Sequence, residues 1–179
     1  MRAPRIAVLA LAVTLFLGSP PHLPGQTAPP GFHGEITRQF QASARKLVAL
    51  AEAMPESTMT WRPMEGVASV ADAYMHIARY NYYYPDVALD VDPGVDYEAW
   101  QGHVTDKAEV VRILRTSMDH VRTVVDGLSD EDLNRPTRLY GREVARWAVL
   151  LQLVAHMNEH LGQEIAYARM NEVVPPWSR

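Results

Sequence analysis

His156 and His160 stand four residues apart in a stretch of helical pattern, and His76 lies 80 residues before the first of them on a second such stretch. A spacing of four puts two imidazoles one turn apart on a single helix face, where both can reach one metal ion. Three neutral imidazoles at about 2.0 to 2.1 Å from a zinc ion leave a fourth position for water or substrate, which is the arrangement of a catalytic rather than a closed structural site. Such a position lets a metal activate water, bind an external thiol as its thiolate, or polarise a carbonyl. On this reading the cofactor is a divalent metal ion, zinc first, although imidazole suits nickel, iron and copper as well. On spacing alone the alternative is histidines that satisfy hydrogen bonds near the core. In a chain of 179 residues with seven histidines, chance supplies roughly 0.3 pairs at this spacing, so the pair gains its weight from context.

Other side chains compete for roles around these three. Glu159 and Gln163 share the histidine face, three and seven residues from His156. Either can point to the site mouth as a proton acceptor or substrate contact; Glu159 is the candidate catalytic base, an ordinary helix-surface glutamate being the alternative. Asp72 precedes His76 by four residues and is explained as the carboxylate of a helix-start box with Ser69, orientation of the imidazole being the alternative. His22 and His33 read as surface residues. His103 and His120 read as peripheral, since neither has a partner at ligand spacing. The run Tyr80, Tyr82, Tyr83 and Tyr84 is assigned to packing against the following loop and a dimer partner, with a pocket lining as the alternative.

The elements that must position these residues follow from apolar periodicity. Ile36, Phe40, Ser43, Leu47, Leu50 and Met54 recur at spacings of four and three, and Pro55 ends that helix. The second helix starts at the Ser69 and Asp72 box, carries His76, Ile77, Tyr80 and Tyr84, and is expected to stop at Pro85. A third runs from Thr105 or Asp106 to about Gly127, with Val111, Leu114, Met118, Val121, Val125 and Leu128 as its stripe. The fourth is expected over 142–170, with Leu150, Val154, Met157, Leu161 and Ile165 as its core stripe. No β-type alternation of useful length competes. Four helices with one apolar stripe each bury those stripes most simply as an all-α four-helix bundle. The acidic link 85–103 can span roughly 60 Å against about 30 Å for a 20-residue helix, so it can return the chain to its starting end and let helices two and three run parallel.

Composition excludes other classes. With 47% hydrophobic residues the chain can bury one domain core, and a net charge of −4 gives no footprint for nucleic acid. Cysteine is absent, which removes disulfides, a protein thiol nucleophile and thiolate ligands. Arg2 and Arg5 followed by the uncharged run Ile6 to Leu17 read as an export signal too short for a stable membrane span. A Pro-rich spacer follows to residue 30, with cleavage placed after Gly25. The expected organisation is a signal and spacer over 1–30 and a bundle domain over 31–179. The protein is thus expected to be secreted or periplasmic, an uncleaved membrane anchor being the alternative.

Several local motifs occur in a telling order. They are Trp61-Arg62-Pro63, Ser69-Val70-Ala71-Asp72 leading into His76-Ile77, Gly141 before Arg146-Trp147, His156-x3-His160-x-Gly162-Gln163, and Pro175-Pro176-Trp177. Together they resemble the DinB-like superfamily of metal-binding four-helix bundles over about residues 32–177. The resemblance implies an up-down-down-up bundle, often a homodimer, with a divalent metal held by His76, His156 and His160. It also brings in relatives that are transferases and isomerases working with bacillithiol or mycothiol, and others with no assigned activity. Where that family commonly has a further basic or histidine residue after the first ligand of its last helix, this chain has Met157-Asn158-Glu159 and then Leu161.

The functional expectation is an exported metal-dependent enzyme of hydrolase or thiol-transferase type acting on a small molecule. An exported bundle that binds metal or ligand without turnover is the alternative. Export separates the chain from thiol cofactors of the cytoplasm. Residues 1–30 carry no periodic apolar stripe and contribute nothing to the expected core. A protein starting at Gly31 is therefore expected to keep the cooperative thermal transition of the full chain, and its loss in a melt followed by circular dichroism would contradict that assignment.

Overall fold

The computed structural model describes residues 31–178, so the expected signal, its cleavage point, the spacer and His22 lie outside the described residues. Helix α1 spans Phe32–Ala53. Its expected stripe is buried at all six positions, from Ile36 to Met54. Met54 turns extended, as the residue before a proline must. Helix α2 spans Val70–Leu89 and opens on a complete capping box, with Ser69 accepting from the Asp72 N–H and Asp72 accepting from the Ser69 N–H. Helix α3 spans Lys107–Asp126, capped by the Asp106 carboxylate on the Glu109 N–H at 2.9 Å. A short helix α4, Asp130–Asn134, precedes a hairpin of β1, Pro136–Leu139, and β2, Arg142–Ala145. Helix α5 spans Trp147–Met170.

Two boundaries differ from the periodicity reading. Pro85 does not stop α2, which runs on to Leu89. The missing N–H costs one hydrogen bond, but the extra turn buries Ala88 and Leu89 in the core. The helix ends instead at Asp90, left-handed with φ 60°, where the N–H groups of Asp90 and Val91 both reach the Pro85 carbonyl. Nor does the last helix begin at Arg142, because residues 136–145 pair as an antiparallel hairpin with Leu139 opposite Arg142. Its two-residue turn places Tyr140 at φ 49° and Gly141 at φ 75°, the sign that a tight hairpin requires at both positions. Strands of four residues are too short to announce themselves by alternation.

The direction of each helix is fixed by contacts at the two ends of the bundle. At one end the Lys107 ammonium donates to the Glu52 carbonyl at 2.9 Å, joining the end of α1 to the start of α3. The Tyr167 hydroxyl donates to the Ala68 carbonyl at 3.1 Å, joining the end of α5 to the start of α2. At the other end His33 bonds the Val125 carbonyl at 2.9 Å, and Phe32 meets Trp147 edge to face at 5.7 Å. The order is therefore up-down-down-up, with α2 and α3 parallel. Residues 90–106 carry the chain back along the bundle between them. That crossover is fastened to α2 by a bidentate Arg79 to Glu98 pair at 2.7 Å, by the Tyr97 hydroxyl on Asp86 at 2.6 Å, and by Tyr82 against Trp100. No helix among the described residues is long and apolar enough to cross a membrane.

One core feature breaks the apolar pattern. Glu164 is fully buried, and neither of its carboxyl oxygens has a hydrogen-bond partner; the buried Tyr74 hydroxyl beside it lacks one too. Burial holds the Glu164 carboxyl well above the usual carboxylate range, so it stays neutral. Burial, and then the neighbouring Glu164, raises the Tyr74 phenol as well. A folded-state value above the unfolded one, near 4.3, means full stability below about pH 4.3 and progressive loss as pH rises. Glu164→Gln is expected to match the wild type near pH 4 and to lose less stability by pH 8, measured by denaturant unfolding across that range.

Candidate metal centre

Helix α2 supplies His76, and α5 supplies His156 and His160, from adjacent faces of the bundle. The ring centroids lie 5.1 Å apart for His76 and His156, 4.7 Å for His76 and His160, and 4.6 Å for His156 and His160. One ring nitrogen from each falls within 4.8 Å of the others, so the three could hold one metal ion. The residues expected to converge do so, although 80 positions separate the first two.

Two glutamines orient the rings. Gln163 donates from Nε2 to the Tyr167 hydroxyl at 2.9 Å, and that hydroxyl in turn donates to the Ala68 carbonyl. This leaves Gln163 Oε1 to accept from His160 Nδ1 at 2.7 Å. Gln101, in the crossover, accepts from His76 Nδ1 at 3.0 Å. With the proton on Nδ1, each ring keeps its Nε2 lone pair for another partner. His156 Nε2 is buried with no hydrogen-bond partner, an orphan that a metal ion would satisfy.

Burial also favours the neutral form of His156 and His76. It pushes His156 down to about 3, with His160 and then His76 adding to the effect. His76 is lowered chiefly by burial, against the opposing hydrogen bond that it donates to Gln101. Neutral imidazole is the form that coordinates a metal, so these shifts suit the three-nitrogen arrangement.

The remaining expected residues separate clearly. Asp72 caps α2 and also accepts from the Gly102 N–H at 3.2 Å, which ties the crossover to the helix start. Glu159 is exposed, and its charge acts on His76. Gln163, expected as a substrate contact, instead supports His160. His120 stacks on Tyr82 at 4.1 Å, His33 bonds the end of α3, and His103 is exposed. The tyrosine run divides. Tyr80 packs 4.6 Å from His76 and 4.7 Å from His156, and Tyr84 5.8 Å from His156, whereas Tyr82 faces the crossover as the packing account expected. Periodicity did not single out Gln101, Gln152 or Tyr140. Gln152, four residues before His156, was open to the same face argument; Gln101 carried no signal, lying 25 positions from His76 in irregular chain.

A family model described as the DinB superfamily matches residues 39–167, a range that contains all three histidines. The chain belongs to the DinB superfamily. Its DinB fold is shared with a DinB-like protein from Bacillus subtilis at 21% identity, with a TM-score of 0.63 over 78% of this chain and 93% of that one. A DinB-like protein from Bacillus cereus matches at 16% identity and TM-score 0.62, over 82% and 94% of the two chains. YfiT from Bacillus subtilis, described as "a probable metal-dependent hydrolase with an unusual four-helix bundle topology", matches at 16% identity and TM-score 0.64, over 86% and 95%. No curated protein matches the sequence significantly.

The buried His156 imidazole of this DinB bundle predicts an acid response. The folded value of about 3 for His156 lies below its unfolded value. Stability contributed by the neutral ring is therefore full above about pH 6.5 and is lost as pH falls. In chelator-treated protein, His156→Leu is expected to flatten the decline between pH 6.5 and 4.5, read from thermal melts; an unchanged slope would contradict the assignment.

Proposed function

We propose that this protein is an exported metal-dependent enzyme of hydrolase type, in which His76, His156 and His160 hold a divalent ion, zinc first. The observation that carries this reading is the buried, partnerless His156 Nε2 facing two imidazoles whose Nδ1 protons are committed to glutamine oxygens. A divalent ion held by three imidazoles supplies Lewis acidity at an open position. The description of YfiT as a metal-dependent hydrolase points the same way.

In this reading the chain's own residues divide the work. Gln101 and Gln163 set the tautomer and angle of His76 and His160. Tyr80 and Tyr84 form the aromatic wall that keeps water from one side of His156. The exposed carboxylate of Glu159 takes a proton at the mouth of the site. A thiol transfer would need an external thiol, since the chain has no cysteine, and export removes it from the cytoplasmic thiols; hydrolysis needs only water.

Metal analysis of protein purified without a histidine tag, followed by ester and amide substrates offered to metal-loaded and metal-free forms, tests the proposal. His156→Ala is expected to abolish tight metal binding and turnover together. Glu159→Gln is expected to keep the metal and lower turnover by about 10²-fold or more. Gln163→Ala is expected to weaken metal binding by about 10- to 100-fold, measured by competition with a chromophoric chelator. Tight metal binding with persistent silence toward every substrate would favour a non-catalytic binder.

A further inference from the structure

The Tyr84 ring is fully buried, yet its hydroxyl contacts two polar partners, Gln152 Nε2 at 3.3 Å and the Tyr140 hydroxyl. An amide nitrogen only donates, so the Tyr84 oxygen accepts from Gln152, and its own proton has the Tyr140 oxygen as its acceptor. The Tyr140 proton is then the uncommitted end of a directed chain, on a side chain that is 60% exposed. The hairpin turn does not account for a tyrosine there. At φ 49° the position favours Asn, Asp or Gly over a bulky aromatic.

The inner end of the chain lies near His156, and Tyr140 is joined to it through Tyr84. Gln152 stands one turn before His156 on the same face of α5. Tyr84 lies 5.8 Å from the His156 ring and 5.1 Å from Tyr80, which touches both His76 and His156. Its donors are neutral, and the guanidinium of Arg79, which lies over Tyr80 at 4.9 Å, is engaged by Glu98. A neutral donor against an aromatic wall suits a carbonyl better than a phosphoryl group.

We infer that Tyr140, backed by Tyr84 and Gln152, is the oxygen-recognising side of the substrate site and donates a hydrogen bond to the carbonyl of an acyl compound, an ester or amide, held at the three-histidine centre. This rests on the metal-enzyme reading above. The hairpin is thereby a specificity element, and its tip sets which acyl compounds dock.

The test uses the full chain loaded with cobalt(II), followed by visible absorption, with acetohydroxamate as the carbonyl probe. Tyr140→Phe removes only the hydroxyl; Tyr140→Asn is a second variant that suits the left-handed turn, so a folding defect in one does not decide the matter. Both are expected to bind cobalt(II) as the wild type does and acetohydroxamate about tenfold more weakly, the scale of one lost hydrogen bond. Unchanged acetohydroxamate affinity overturns the inference while leaving the metal site standing. A parallel loss of cobalt(II) affinity makes Tyr140 a prop for the histidines and also overturns it. Failure of the wild type to bind cobalt(II) sinks the metal reading, and the inference falls with it.

Discussion

The hydrogen bonds that His160 and His76 give from Nδ1 to glutamine oxygens are the constraint on which the centre of this bundle depends. Each commits a proton outward and leaves a lone pair inward. Three rings with nitrogens inside 4.8 Å cannot carry two charges at once without strong repulsion. Two unit charges about 4 Å apart repel by about 4 kcal/mol at an effective dielectric of 20, which exceeds the worth of either hydrogen bond. Burial of His156 reinforces the same choice, so geometry and protonation select one state together.

The supports of those bonds lie outside the four long helices. Gln101 belongs to the crossover, which exists because parallel α2 and α3 must be joined across the length of the bundle. Asp72 holds that crossover through Gly102 while also capping α2, so one carboxylate sets both the helix start and the approach of Gln101. Gln163 is braced through Tyr167 to Ala68, in the segment that joins α1 to α2. The hairpin completes the surround by carrying Tyr140 to Tyr84. Connections that look like filler in the sequence thus fix the rings.

The same logic explains where local rules gave way. Pro85 is a helix breaker in isolation, but an apolar turn beyond it finds a core to enter, and burial of Ala88 and Leu89 outweighs one lost backbone bond. Glu164 keeps an unpaired carboxyl in the core by remaining protonated, which converts the desolvation of a charge into the smaller cost of a neutral group.

By itself the sequence determined the four long helices, most of their inward positions and the pairing of His156 with His160, because a period of 3.6 and a spacing of four are local properties of one helix. Val111, Val154 and Ile165, expected in the core stripes, are only half-buried. Motif order also made the DinB superfamily legible, and with it the place of His76. Tertiary structure decided everything that required two distant segments to meet: Gln101 on His76, Tyr140 on Tyr84, Gln163 turned from a substrate contact into a support, and the turn of helix beyond Pro85. The physical reason is that hydrogen-bond partnership and burial belong to pairs of residues brought together by packing. Periodicity reports only which face of an element will be covered, and not by what.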